Sequence, residues 1–194
     1  ATAGQKTWSL ANQTLTSSNT LLVKVVDAAG NDGAVFSQGY TLDTAAPTTK
    51  ASTLAFSNDS GESASDFITK LAAQTISGTL SANLAGDEVV KISLNNGSTW
   101  TNATALVGES TWTLTGQTLT GSNTLLIKVV DAAGNDGAIS SHAYTLDTTA
   151  PTTTISTKTF SADTGDLASD FITKTALQNI SGTLSANLTW SRSP

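Results

Sequence analysis

The sequence predicts an all-β protein made of short antiparallel strands, and three observations support this prediction. Thr, Ser, Ala, Gly and Asn dominate the 194 residues, and only 12% of the residues are charged. Apolar and polar residues alternate over short runs, which is the pattern of half-buried strands. Turn-forming residues separate these runs at regular intervals.

The chain also repeats itself with an offset of 104 residues. The nine residues Val-Val-Asp-Ala-Ala-Gly-Asn-Asp-Gly at 25–33 return at 129–137. Aligning residues 1–84 with residues 105–188 gives 59 identical pairs out of 84. A repeat of this length determines the architecture before any single motif is considered.

The repeat predicts one complete unit flanked by two partial ones. If each unit ends at the Asp-Thr-x-Ala-Pro segment, the complete unit is 48–151. Residues 1–47 are then the C-terminal half of a preceding unit, and residues 152–188 are the N-terminal half of a following one. The last six residues, 189–194, do not repeat, and we interpret them as a truncation or an added tail.

The first half of the complete unit contains three predicted strands. Ala51, Thr53 and Phe56 belong to the first, and a polar stretch over 57–69 follows. The second runs from Gln74 to Ala82, and the third from Glu88 to Leu94. Alternation places one set of side chains inside, namely Ile76, Gly78, Leu80, Ala82, Val90, Ile92 and Leu94, and leaves Lys91 and Ser93 outside.

A turn signal opens the second half. Asn95-Asn96-Gly97-Ser98 predicts a type I′ turn, because Asn and Gly both tolerate a positive φ. A strand with Trp100 returns from this turn, and three further strands follow. The predicted inward side chains of those three are Trp112, Leu114, Leu125, Ile127, Val129, Tyr144 and Leu146, with Lys128 outside.

Seven short strands within 104 residues predict an immunoglobulin-like antiparallel β-sandwich in tandem repeats. Another small all-β barrel is the alternative. Because the sequence contains no cysteine, a disulfide between the sheets is impossible.

Composition argues against two classes of partner. The net charge is −6, whereas binding to nucleic acid needs a basic stripe. No apolar run approaches 18 residues, so we expect no membrane insertion.

Four motifs in a fixed order resemble bacterial immunoglobulin-like repeats. They are Val-Val-Asp-Ala-Ala-Gly-Asn, Tyr-Thr-Leu-Asp-Thr-Thr-Ala-Pro, Ser-Asp-Phe-Ile-Thr and Ile-Ser-Gly-Thr-Leu, and the resemblance covers residues 1–188. Such repeats form the stalks of giant secreted adhesins of Gram-negative bacteria. The resemblance implies a location outside the cell or on its surface, frequent export by a one-step secretion system, and calcium at the junctions between units.

Acidic residues recur in two loops of the repeat and at its end. One loop carries Asp59, Glu62 and Asp66, repeated as Asp163, Asp166 and Asp170. The other carries Asp27, Asn31 and Asp32, repeated as Asp131, Asn135 and Asp136. Asp43 and Asp147 each precede an Ala-Pro linker. Calcium takes six to eight oxygen ligands, more than one of these loops supplies, so a site would need the ends of two adjacent units.

Strand polarity suggests how two ends would meet. In a sandwich, the loop with Asp59 and Asp66 shares one end with Asp147. The loop with Asp131, Asn135 and Asp136 lies at the opposite end and faces Asp43 of the preceding unit. The alternative is that these loops are plain turns, since Asn, Asp and Gly are the common turn residues.

Catalysis has little support in the sequence. His142, the only histidine, has Gln38 as its counterpart, and we interpret it as a strand residue. Asp59 and Asp66 lack the aromatic cleft expected around a glycosidase carboxylate pair. Trp8, Trp100 and Trp112 are interpreted as core or flank packing, with a sugar-stacking platform as the alternative.

Two functions therefore remain open. The first is a structural spacer of an adhesin stalk, stiffened by calcium between neighbouring repeats of the same chain. The second is a module that binds carbohydrate or a host surface, with repetition supplying avidity.

Overall fold

The computed structural model describes residues 4–188, and within that range the chain contains thirteen β-strands and no helix. The predicted tail at 189–194 lies outside the described residues. The chain divides into two compact units between Asp147 and Thr148. The strands are β1 (Asn19–Val23), β2 (Phe36–Tyr40), β3 (Ala51–Phe56), β4 (Ile68–Thr69), β5 (Ala73–Leu80), β6 (Val89–Ser93), β7 (Thr101–Asn102), β8 (Thr104–Ala105), β9 (Thr111–Thr118), β10 (Asn123–Val130), β11 (Ser140–Leu146), β12 (Ile155–Phe160) and β13 (Ile180–Leu184).

Strands β3 to β11 form two sheets, which we call the central sandwich. One sheet has the order β3-β5-β9-β8, and the other has the order β4-β11-β10-β6-β7. All pairs are antiparallel except β4 and β11, which run parallel at the edge of the second sheet. The fold class predicted from the sequence is thus confirmed as an all-β, immunoglobulin-like sandwich.

The core of the central sandwich comes from the inward side chains of both sheets. Its fully buried members include Ile76, Val90, Ile92, Leu125, Ile127 and Val129. Trp112 and Tyr144 are also buried, and the Tyr144 hydroxyl donates a hydrogen bond to the Leu94 carbonyl at 2.7 Å. Each fully buried aliphatic side chain stabilises the fold by about 1.5–3 kcal/mol. The alternation of apolar and polar residues in the sequence reflects this core, because its members stand at every second position of their strands.

Two assignments of inward and outward side chains were wrong. Ala82 is exposed, because β5 ends at Leu80 and the chain bends before Leu84 becomes the next buried residue. Ser93 is buried instead of exposed. Its hydroxyl accepts a 2.8 Å hydrogen bond from the Gly97 amide, so the side chain braces the following turn.

That turn has the predicted geometry. Asn96 and Gly97 both have positive φ, 53° and 86°, and the Ser98 amide donates to the Asn95 carbonyl. The strands do not pair directly beside the turn, however. Pairing resumes where Ile92 faces Thr101 and ends where Lys91 faces Asn102, so β7 contains only two residues. With β4 and β8 equally short, the unit has nine strands where seven were predicted.

Lys128 does not simply point into solvent. Its side chain is only 13% exposed, because the ammonium lies 4.5 Å from the centre of the Trp100 ring and 2.7 Å from an Asp136 carboxylate oxygen. A cation on an aromatic face and a carboxylate together hold the long side chain against the sheet. Trp100 therefore flanks the sandwich, as expected for that residue.

The two partial units repeat pieces of the central sandwich. In the first, β1 pairs with β2 in the register that β10 and β11 use, from Asn19 opposite Tyr40 to Val23 opposite Phe36. In the second, β12 and β13 repeat the register and irregularity of β3 and β5. Neither piece adds a covering sheet of its own.

Trp8 illustrates the consequence. Its side chain is 58% exposed, whereas that of Trp112, its counterpart, is 2% exposed. The packing role expected for Trp8 was therefore wrong, because residues 4–47 form only one two-stranded sheet.

Within residues 4–188 there is also no helix of the length and hydropathy needed to cross a membrane.

Candidate functional site

The loop between β10 and β11 closes on the carboxylate of Asp131. One carboxylate oxygen accepts the Asn135 backbone amide at 2.9 Å, and the other accepts the Asn135 side-chain amide at 2.8 Å. Gly134, with φ of 93°, lets the chain turn back within four residues. Asp131 is buried, and these local donors satisfy its charge in place of water.

The same loop reaches the end of the preceding segment. The Asn135 side-chain nitrogen also donates to the backbone carbonyl of Asp43, at 3.1 Å, across 92 positions of sequence. The Asp43 carboxylate accepts the Ala45 amide at 3.0 Å, which turns the chain before the linker. Strand polarity thus brings Asn135 onto Asp43, and a single amide group joins the two segments.

The earlier copy of this loop has the same internal bonds. Asp27 accepts the Asn31 backbone amide and side-chain amide, each at 2.8 Å. The Asp27 loop is exposed, whereas Asp131 is buried. Because both copies close in the same way, the loop geometry depends on local residues and not on the neighbouring segment.

These hydrogen bonds lower the pKa of both carboxyl groups. For Asp131, the Asn135 side chain is the largest cause, and burial opposes it. For Asp27, the side chain and backbone amide of Asn31 are the two largest causes. Both groups are therefore carboxylates at neutral pH, as a cation ligand must be.

The remaining acids of this loop have a basic partner. Asp136 forms the ion pair with Lys128 described above, and Asp32 forms the same pair with Lys24 at 2.7 Å. The separation of eight residues is identical in both copies. This pairing was missed in the sequence, although a lysine and an aspartate recurring at this spacing were a usable signal.

The loop between β3 and β4 is organised around Asp59 and Asp66. Asp59 accepts the Phe67 amide at 2.9 Å, and Asp66 accepts the next amide, that of Ile68, at 3.1 Å. Phe67 is buried and has a φ of 61°, an unfavourable conformation for a bulky residue that these two carboxylates help to hold. The two side chains are therefore neighbours at one end of the sandwich.

Asp59 also has an unsatisfied oxygen. Its second carboxylate oxygen, Oδ1, is buried and has no hydrogen-bond partner. The corresponding oxygen of Asp163 in the second copy is in the same condition. A buried, unpaired carboxylate oxygen is costly, so its presence in both copies needs an explanation.

Asp147 lies near this loop. Its backbone amide donates to the Thr69 carbonyl at 2.9 Å, where β4 runs parallel to β11. In the second copy, Asp163 accepts the Phe171 amide and Asp170 accepts the Ile172 amide. Glu62 and Asp166 are exposed at the tips of the two loops.

A buried glutamine supports the same loop and was missed in the sequence. Gln74 is the second residue of β5 and looks like an ordinary strand residue in the sequence. Its side chain, however, accepts the Asn58 amide and donates to the Asn58 and Leu71 carbonyls. Gln178 makes the equivalent bonds to Ala162 and Thr175. The only sequence signal was that this residue is identical in both copies.

The donors fit a hard cation better at the Asp59 loop than at the Asp131 loop. The unpaired oxygens of Asp59 and Asp163 are the donor type that calcium takes. At the other end, Asn135 already places its side-chain nitrogen between Asp131 and Asp43. Among the described residues, no three acidic or histidine side chains stand close enough to hold a metal by themselves.

His142 and the aromatic residues do not form a reactive site. The His142 ring, on β11, contacts Phe67 edge-on, with 4.0 Å between ring centres. In residues 48–147, all of them described, each Trp, Tyr and Phe is buried or half-buried. The central sandwich thus presents no exposed aromatic platform.

Two sheets in this order, without a disulfide, define an immunoglobulin-like module. The family described as "Bacterial Ig-like domain" matches residues 46–148, more than half of the chain. The chain therefore belongs to the bacterial Ig-like domain family. A search among curated proteins finds no match. Domains of this family are in general non-enzymatic structural or surface-associated modules, common in surface and extracellular proteins.

Proposed function

We propose that this chain is a structural spacer from the stalk of a large secreted or cell-surface adhesin, with calcium bound at the repeat junctions. The observation that carries the spacer role is the hydrogen bond from Asn135 to Asp43, which ties one segment to the next through a loop of the repeated sequence. A junction of this kind limits bending between successive units. Repetition of such units gives reach.

The calcium component rests on the unpaired oxygens of Asp59 and Asp163. Asp59 and Asp66, repeated as Asp163 and Asp170, would supply carboxylates at one end of a unit. Asp147 belongs to that end as well. The junction residues Asp27, Asn31, Asp43, Asp131, Asn135 and Asp136 stay predicted ligands, although their loops already close by hydrogen bonds and, for Asp136, by an ion pair.

Bound calcium would supply positive charge to a buried carboxylate oxygen that otherwise lacks a partner. The chain's own residues would bind the ion and thereby hold the β3–β4 loop in place. By mass action, a ligand present at one hundred times its dissociation constant stabilises the folded state by about 2.7 kcal/mol.

The double variant Asp59→Asn/Asp163→Asn tests the calcium component. An asparagine oxygen can still accept the Phe67 or Phe171 amide, so the loops keep their shape while losing charge. We expect the wild-type chain to release or absorb heat on calcium titration and to melt at a lower temperature with chelator. The double variant should show a smaller heat on titration and a smaller fall in melting temperature with chelator.

Asp87→Asn is the matched control, because Asp87 is an exposed acid outside both loops. It should behave as the wild type does. Identical calcium titrations for the wild type and the double variant would remove Asp59 and Asp163 from the ligand set.

A glycan-binding module is the rival function. The absence of exposed aromatic side chains over residues 48–147 does not favour it, since sugar sites usually stack the ligand on aromatic rings. A glycan-array screen separates the two functions: specific retention of one glycan class would contradict a spacer without recognition.

A further inference from the structure

A single Asn-Gly pair occurs in the sequence, and the structure places it in the turn that follows β6 in the central sandwich. An asparagine side chain can lose ammonia without an enzyme when the backbone nitrogen of the next residue attacks it. Glycine permits this attack most readily, because it has no Cβ beside its nitrogen and adopts many backbone conformations. The Asn96 side chain is exposed to water, which the reaction also needs.

The other asparagine of this turn, Asn95, is fixed by hydrogen bonds. Its side-chain oxygen accepts the Ser93 hydroxyl and the Thr99 amide, each at 2.9 Å. Its side-chain nitrogen donates to the Thr99 hydroxyl, also at 2.9 Å. The next nitrogen along the chain belongs to Asn96, whose own Cβ hinders an attack. The turn thus holds Asn95 in place and leaves Asn96 accessible.

The nitrogen that would attack Asn96 is restrained by Ser93. The Gly97 amide donates to the Ser93 hydroxyl oxygen at 2.8 Å, and Ser93 is only 1% exposed. The same oxygen accepts the Asn95 amide at 3.3 Å, while its proton is donated to the Asn95 side chain. A serine hydroxyl has one donor and two acceptor positions, so all three are in use. The Gly97 amide proton is therefore held by a buried partner.

We propose that Asn96 is a site of spontaneous deamidation and that the Ser93 hydroxyl limits its rate. In this reaction the Gly97 nitrogen gives up its proton and forms a bond to Cγ of Asn96. The bond between Cγ and Nδ2 breaks, and the side-chain nitrogen leaves as ammonia with the proton that Gly97 released. Water then opens the succinimide ring at either carbonyl, which yields aspartate or isoaspartate. Nothing is oxidised or reduced, and water is the only co-reactant.

The hydrogen bond to Ser93 slows the first step in two ways. The Gly97 nitrogen must release its proton as it attacks, and the Ser93 oxygen holds that proton in place. The peptide group between Asn96 and Gly97 must also rotate, whereas the turn fixes it between two residues with φ of 53° and 86°. The reaction therefore proceeds through a local opening of the turn that breaks this hydrogen bond.

The product alters the hairpin that the turn connects. Isoaspartate adds a carbon to the main chain, and the register of a hairpin depends on the type and length of its turn. A Cβ on Gly97 would lie 3.4 Å from the Leu126 side chain and 3.9 Å from the Trp100 ring, so the turn packs against both. Because β7 pairs with β6 over only two residues, a longer turn loosens this edge of the sheet.

Peptide mass spectrometry of the folded full chain, incubated at mildly alkaline pH and sampled over time, measures deamidation at each asparagine. Among the asparagines of residues 48–147, Asn96 should be the first to be converted to aspartate and isoaspartate. Ser93→Ala should raise the rate at Asn96 by roughly two- to tenfold, the effect of losing one hydrogen bond. The wild-type chain unfolded in urea should react at least as fast as this variant.

Two control variants separate the Ser93 hydrogen bond from other effects of substitution. Thr99→Ala removes another hydroxyl of the same turn but leaves the bond between Ser93 and Gly97, so the wild-type rate should persist. Gly78→Ala crowds the core away from the turn and should not reproduce the acceleration by Ser93→Ala. Equal acceleration by Gly78→Ala would mean that global unfolding controls the reaction, which contradicts the proposal.

Hydrogen exchange of the wild-type chain tests the same hydrogen bond without any substitution, so it decides the matter if Ser93→Ala does not fold. The Gly97 amide should exchange slowly, although the side chain of Asn96 beside it is exposed. A Gly97 amide that exchanges freely would overturn the proposal. An unchanged rate in folded Ser93→Ala, or earlier deamidation at another asparagine of residues 48–147, would do so too.

Discussion

At the scale of single residues, aspartates in equivalent turn-like contexts play two different roles. Asp131 and Asp27 have both carboxylate oxygens engaged by an asparagine four residues later. Asp59 and Asp163 have one oxygen engaged and one buried without a partner. The first role closes a loop, whereas the second leaves a charge that a cation can satisfy.

The lowered pKa of Asp131 predicts a pH dependence of stability. A carboxyl group whose pKa is lower in the folded state contributes stability above its unfolded pKa of about 3.9, and that contribution is lost as the pH falls through the folded value. Asp131→Asn should therefore melt at a lower temperature than the wild type at neutral pH. The difference in melting temperature should shrink in acid, as thermal unfolding measured across the pH range would show.

Asp27→Asn is the control for this prediction, because it removes the same kind of carboxylate from the β1–β2 hairpin. The main unfolding transition, which belongs to the central sandwich, should not change. If the wild type and Asp131→Asn lose the same amount of stability as the pH falls, the Asp131 carboxylate does not contribute to that loss.

At the scale of secondary-structure elements, β3 and β9 approach β5 so closely at Gly78 that no side chain fits there. A Cβ placed on Gly78 would collide with the Thr53 carbonyl of β3 and would lie 2.7 Å from the Trp112 ring of β9. Gly182 in β13 meets the equivalent carbonyl, that of Thr157. Gly78 thus permits β5 to pack closely between β3 and β9, with the Trp112 ring of β9 lying against it.

Gly78→Ala should therefore destabilise the central sandwich by about 1–3 kcal/mol, the usual cost of overpacking a core. Urea denaturation followed by Trp fluorescence measures this change. Gly121→Ala is the control, since a Cβ there meets nothing within 4 Å and the backbone has no positive φ. The control should be neutral or slightly stabilising, and equal losses for the two variants would contradict the packing argument.

At the scale of the whole molecule, stability should be concentrated in the central sandwich. Its two sheets cover one another, whereas residues 4–47 form only one two-stranded sheet and leave their apolar side chains exposed. Two strands without a covering layer are marginally stable in water. The partial unit at residues 148–188 has the same deficiency, with β12 and β13 alone.

Native-state hydrogen exchange at low protein concentration tests this distribution. Amides of residues 74–146 should exchange only through global unfolding, whereas amides of residues 5–45 should exchange much faster by local opening. Equal protection in the two regions would mean that the partial unit has found a closed packing of its own.

The sequence was sufficient for the fold class and for most of the core. Ile76, Leu80, Val90, Ile92, Trp112, Leu125, Ile127 and Val129 are all buried as the alternation predicts. Period-two alternation reports which face of a strand is apolar, because successive side chains point to opposite sides. The type I′ turn at Asn96-Gly97 was equally readable, since few residues tolerate its φ values.

Strand ends and exceptions to the alternation were not readable. Ala82 leaves the core because the chain bends after β5, and Ser93 enters it because its hydroxyl braces a turn. Lys128 lies flat because Trp100 and Asp136 come close in space. Each depends on neighbours that are distant in sequence or on where a strand stops.

The candidate site, too, was predictable from the sequence only in part. The sequence alone determined which loops carry acids, since their residues recur at a fixed offset. Only the tertiary structure decided that the Asn135 side-chain amide donates hydrogen bonds to both Asp131 and Asp43. The same is true of the Asp59 oxygen that is buried and unpaired. The physical reason is that composition and periodicity record the chemistry and the face of each side chain, whereas satisfaction of a polar atom depends on the groups that the folded chain brings within hydrogen-bonding distance.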